Sequence, residues 1–120
     1  FGEQDVLGFR AEQDVYQFCI LFVRDGKLLG SKSFTPLKTQ ADQGEIVSSV
    51  LKQYYDSSDI PDEIILPVSL PDEKVIGEWL SDRKGKKVRL TVPVRGLKKA
   101  QLDMACTNAR ELLAAADRVL

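Results

Sequence analysis

The chain has no histidine, only two cysteines, and a single methionine and tryptophan in 120 residues. Without histidine there can be no Ser-His-Asp triad, no Cys-His pair and no His-ligated zinc or haem. Two cysteines cannot make a four-thiolate site. Cys19 lies in an apolar run and Cys106 in a helical pattern, so both read as reduced, buried thiols of a cytoplasmic protein, a single bridge being the formal alternative. No apolar run approaches the roughly 20 residues of a membrane span, and no signal peptide is visible, so no membrane partner is expected. The chain begins at Phe1 and its only methionine is Met104, which reads as a piece of a longer protein. Carboxylate–metal work and lysine or tyrosine catalysis are the chemistries left open.

Acidic side chains are missing from one stretch. Residues 83–102 hold eight basic residues (Arg83, Lys84, Lys86, Lys87, Arg89, Arg95, Lys98, Lys99) and no acid, whereas residues 1–82 hold seven basic and fifteen acidic ones. The formal charge of −1 therefore hides a strong polarity. Such a stripe is a candidate phosphate-facing patch, with Lys84, Lys86, Lys87, Arg89, Arg95, Lys98 and Lys99 as its nucleic-acid-binding residues. The plainer reading is a solvated edge strand and helix start, since lysines on an edge also oppose aggregation.

Hydrophobic periodicity orders the elements. Asp5–Phe9 and Val15–Val23 read as strands, the second apolar on both faces and so covered on two sides. Asp25-Gly26 predicts a two-residue hairpin turn leading to a third strand, Lys27–Phe34. The period then changes: Asp42 and Glu45 form a capping-box pattern ahead of Ile46, Val47, Val50, Leu51 and Tyr54 at helical spacing. Glu63–Leu66 reads as an inner parallel strand. Ser69, Pro71 and Asp72 open a second helix that buries Val75, Ile76, Trp79 and Leu80 and stops at Gly85. Lys86–Val92 alternates as an edge strand. A final helix from about Leu97 places Ala100, Met104, Ala105, Leu112 and Val119 on one face, with Asn108 near it as a structural amide. Trp79 reads as core rather than as a base-stacking platform.

The order βββαβαβα, with right-handed crossovers, predicts an α/β fold with a mixed five-stranded sheet in order 3-2-1-4-5 and helices on both faces. That is the ribonuclease-H-like topology, in a single domain spanning 1–120. Nucleases of this fold hold two divalent metals with carboxylates from the first strand, first helix, fourth strand and last helix. Here mid-strand one is Leu7-Gly8-Phe9, and strand four ends in Leu66-Pro67-Val68. Asp5, Glu45 and Asp103 alone are too few for two hard cations, so neither a metal, a cofactor nor a catalytic residue is expected.

The stretches DVLGF (5–9), FVRDGKLLGSKSF (22–34), IPDEIILP (60–67) and GKKVRLTVPVRGLKKAQLDMACTNARELL (85–113) resemble the UvrC family, the incising subunits of bacterial nucleotide excision repair. The match lies between that family's UvrB-binding motif and its C-terminal endonuclease domain. The resemblance implies a parent that cuts DNA twice, with partners UvrA and UvrB. Neither active site maps here: the GIY-YIG signature is absent, as are the Phe-Asp-Ile-Ser strand and the histidine of the second nuclease. It implies a non-catalytic domain that positions the nuclease domains and contacts DNA through the basic stripe. The alternative is a protein–protein docking module for UvrB or neighbouring UvrC domains.

Overall fold

A computed structural model describes residues 2–119, with side chains through Ala116. Strands β1 (Glu3–Glu12), β2 (Val15–Arg24) and β3 (Lys27–Ser33) form the antiparallel meander, followed by a two-residue strand β4 (Leu37–Lys38), helix α1 (Gln43–Tyr55), strand β5 (Glu63–Ile65), helix α2 (Glu73–Lys84), strand β6 (Arg89–Thr91) and helix α3 (Gly96–Val119). The sheet order is β3-β2-β1-β5-β6, and β4 pairs with the start of β2. The expected path through the sheet therefore holds, but the sheet has six strands rather than five. A strand of two residues is too short to carry an alternation that sequence reading could detect.

Turn chemistry sets the meander. Asp25 (φ 51°) and Gly26 (φ 77°) both occupy the left-handed region, which the tight β2–β3 turn requires. β5 then joins β1 in parallel, with Asp5 opposite Ile64, and β6 joins β5 with Ile64 opposite Leu90.

Alternating side chains divide the core into two layers. On one face Leu7, Phe18, Ile20, Ile64 and Leu66 meet Ile46, Val47, Leu51 and Tyr55 of α1 and Ile76 and Leu80 of α2. On the other, Val6, Cys19, Leu21, Val23 and Ile65 meet Leu102, Ala105 and Ala109 of α3. Gly8 fixes the distance in the second layer. A Cβ there would lie 2.5 Å from the backbone nitrogen of Cys106 and 2.6 Å from Ala105. The helix backbone lies against the middle of β1 because position 8 has no side chain.

Several expected details differ. β1 runs beyond Asp5–Phe9 at both ends, β5 stops at Ile65, and β6 is confined to Arg89–Thr91. α2 begins at Glu73, past Ser69 and Pro71, and neither Asp42 nor Asp72 makes a side-chain cap bond. Ser48 takes the Asp72 carboxylate instead, donating to Oδ1 at 2.7 Å. Val75 is 64% exposed, because α2 meets the sheet only through Ile76 and Leu80 and the half-buried Trp79. Ala100 and Met104 also face solvent. The close approach at Gly8 turns α3 so that Leu102, Ala109 and Leu113 are buried beside the expected Ala105. The expected placement of Val119 lies outside the described side chains. Both cysteines are free thiols, Cys19 buried and Cys106 half-buried.

Candidate nucleic-acid interface

α3 covers β1 and β2 and leaves the β5–β6 part of the same sheet face open. A groove of about 960 Å³ lies there, between the first turns of α3 and the edge strand. Its floor is Gln4, Glu63 and Thr91, and its walls carry Lys86, Lys87, Arg89, Arg95 and Lys98. Five of the seven basic residues singled out by sequence thus share one concavity. Lys84 lies on another side of the β1 end, half-buried, donating to the Ile60 carbonyl and 3.6 Å from Glu3. Lys99 is turned along α3 to Asp103, four residues on.

The floor is electrostatically anchored. Glu63 is 1% exposed, and its carboxylate accepts from Gln4 Nε2 (3.0 Å), Thr91 Oγ1 (2.6 Å) and Lys98 Nζ (2.8 Å), with Arg89 at 3.7 Å. Burial pushes this carboxyl up, but the bonds from Lys98, Thr91 and Gln4 outweigh it and hold the group below its ordinary value. At the rim, Asp62 takes Lys86 at 3.0 Å. Among the described residues Lys87 and Arg95 make no ion pair, so their charges point outward uncompensated. Gln101 adds a buried Oε1 with no protein hydrogen-bond partner. The sequence reading placed Glu63 in the inner strand but missed it as a site residue, because its partners lie 28, 35 and 59 positions away.

The metal-ligand positions of this fold fare differently. Asp5 is buried on the α1 face, where Tyr55 donates to Oδ2 at 2.6 Å and Arg24 to Oδ1 at 3.1 Å. Burial pushes the Asp5 carboxyl up, against the pull of Tyr55 and Arg24. Glu45 is exposed in the first turn of α1, ten residues before Tyr55 and so about 15 Å away along the helix. Asp103 is exposed on α3, across the sheet. Among the described residues no three carboxylates or thiols come together as a metal site. Gly8 adds a steric reason: a side chain in mid-β1 would enter the backbone of α3. The residues present do not fit a two-metal centre.

The molecule is an antiparallel meander continued by two parallel strands, with helices on both faces and a basic groove beside the last helix. That defines a ribonuclease-H-like α/β domain. The chain belongs to the UvrC ribonuclease H-like domain family, whose model matches residues 3–116. It is 42% identical over 110 residues to the UvrABC system protein C of Syntrophus aciditrophicus, covering 91% of this chain and 18% of that protein. The protein of the same name from a Thermoanaerobacter species is 42% identical over 113 residues, covering 92% and 18%. That from Dehalococcoides mccartyi is 39% identical over 114 residues, covering 93% and 19%. The chain therefore spans under a fifth of the length of these relatives. A solved Bacteroides thetaiotaomicron protein with an actin-like ATPase fold aligns over 80% of this chain and 35% of its own, with 17% identity and a TM-score of 0.35, too distant to carry an argument. No described helix is long and apolar enough to cross a membrane.

Proposed function

We propose that residues 1–120 form one non-catalytic domain of a UvrC protein, acting in nucleotide excision repair by holding the nuclease domains in place and contacting the DNA backbone. Cutting is done by active sites outside these residues, and the domain works in the cytoplasm. The observation that carries this reading is the convergence of Lys86, Lys87, Arg89, Arg95 and Lys98 on one groove, two of them without an acidic partner among the described residues. Side chains of this kind bind phosphates without regard to sequence and release counterions as they do. Dispersal of Asp5, Glu45 and Asp103 over two faces supports the non-catalytic part.

The test is binding of a fully paired DNA duplex at several salt concentrations. Two to three phosphate contacts give a log–log slope of about −1.8 to −2.7, a loss of roughly 12- to 40-fold in affinity between 50 and 200 mM salt. The double substitution K87E/R95E should lower affinity at least about tenfold and flatten the slope. No duplex binding at low salt, together with capture of UvrB, would replace DNA contact by protein docking.

A further inference from the structure

The junction of β6 and α3 exposes two apolar side chains. Val94, on the four-residue connection 92–95, is 83% exposed, and Leu97, in the first turn of α3, is 71% exposed. Apolar groups exposed together and rimmed by charged ones mark sites of interaction. The connection is short and its backbone is fixed at both ends of the tip. Pro93 locks its own φ, and Gly96 holds a left-handed φ of 83° at the start of α3. The apolar tip is therefore presented in one shape, with little ordering left to occur on binding.

Its surroundings select the occupant. Arg95 lies between the two apolar residues in sequence, Lys98 and Lys99 follow in the first turn of α3, and Leu97 and Pro93 themselves line the basic groove. An apolar protein surface would have to desolvate these cations without return. A polyanion with apolar faces in its interior satisfies both parts at once, phosphates on the cations and bases on the tip.

Resting on the phosphate-facing reading above, we infer that Val94 and Leu97 form an apolar wedge that engages bases already unpaired or unstacked, so that the domain prefers distorted DNA to regular duplex. Regular duplex offers the tip no apolar surface, because its base faces are stacked. A bubble or flap does.

The experiment compares two probes by fluorescence anisotropy at low salt: a fully paired duplex and the same duplex with a short central bubble. The wild-type chain is expected to bind the bubble about tenfold more tightly, the order expected for covering one Val or Leu side chain. The single substitution V94S, at a position outside the groove lining, should remove most of that preference and leave duplex affinity within about twofold, since every groove residue is kept. Circular dichroism checks folding, and the position is exposed enough for the fold to survive. A preference that persists undiminished in V94S, or equal binding of the two probes by the wild type, overturns the wedge and assigns the tip to a protein contact, while leaving the phosphate-binding groove standing. Absence of binding to either probe overturns both readings.

Discussion

Replacing Gly8 by alanine should destabilise the domain although it adds a single methyl group. The new Cβ would sit 2.5 Å from the Cys106 nitrogen and 2.6 Å from the Ala105 carbonyl carbon and Cβ, whereas ordinary contact begins near 3.4 Å. The neighbours are backbone atoms and an alanine Cβ fixed to that backbone, so no side chain can swing aside. α3 as a body must retreat by about 0.9 Å from β1, the difference between 3.4 and 2.5 Å. A gap of that size forfeits roughly a quarter to a half of each dispersion contact across the layer. The layer concerned joins Val6, Cys19, Leu21, Val23 and Ile65 to Leu102, Ala105 and Ala109. Overpacking of this sort costs up to about 3 kcal/mol. Against it, alanine restricts the unfolded chain by about 0.4–1 kcal/mol. The net loss is about 2 kcal/mol, or roughly 8 °C in melting temperature for a domain of this size. Urea unfolding followed by the fluorescence of Trp79 on α2 measures it from the opposite face of the sheet. A loss below about 0.5 kcal/mol, within the range of ordinary surface substitutions, would refute the close approach of α3 to β1. G8D, which places a carboxylate in mid-strand, should lose more than G8A and acquire no Mn²⁺-dependent nicking of DNA.

Tyr55→Phe removes the 2.6 Å donor to a carboxylate that is 1% exposed, and a loss of roughly 1.5–3 kcal/mol is expected by the same unfolding assay. Acid should destabilise the domain through Glu63. Its carboxyl is held below the ordinary 4.5, so its contribution is present above that pH and is lost as the pH falls through the depressed folded value. Asp5 works in the opposite sense: its raised carboxyl favours the folded state under acid, so the measured decline should be shallower than Glu63 alone would give. Lys98→Met should lower stability at neutral pH and reduce the acid-induced loss, checked by melting temperature at neutral pH and at pH values below about 4.

Most of the fold was legible because local signals agreed with one another. Asp25-Gly26 allows only a tight turn, the two apolar faces of Val15–Val23 require cover on both sides, and the order of periods leaves few topologies. The face of α3 was only partly legible from periodicity. Helical spacing put Ala100 and Met104 on the face with Ala105, but a helix brought close to a strand turns toward its line of small residues, and Ala105 and Ala109 mark the contact. That choice is made by Gly8, almost a hundred residues earlier in the chain. The stripe 83–102 was visible as charge, yet which lysines converge depends on where β6 ends and how Lys84 and Lys99 find local acids. Glu63 could not be found from its neighbours, because every group that holds it arrives from another element.

The carboxylate beneath the groove would shape how a polyanion lies there, if the groove takes DNA as proposed. Glu63 already occupies Lys98 and draws on Arg89, so phosphates would be held by the outer cations Lys87 and Arg95. Held along its banks in this way, the trench would act as a rail rather than a clamp on the backbone, keeping a strand at one height above the sheet.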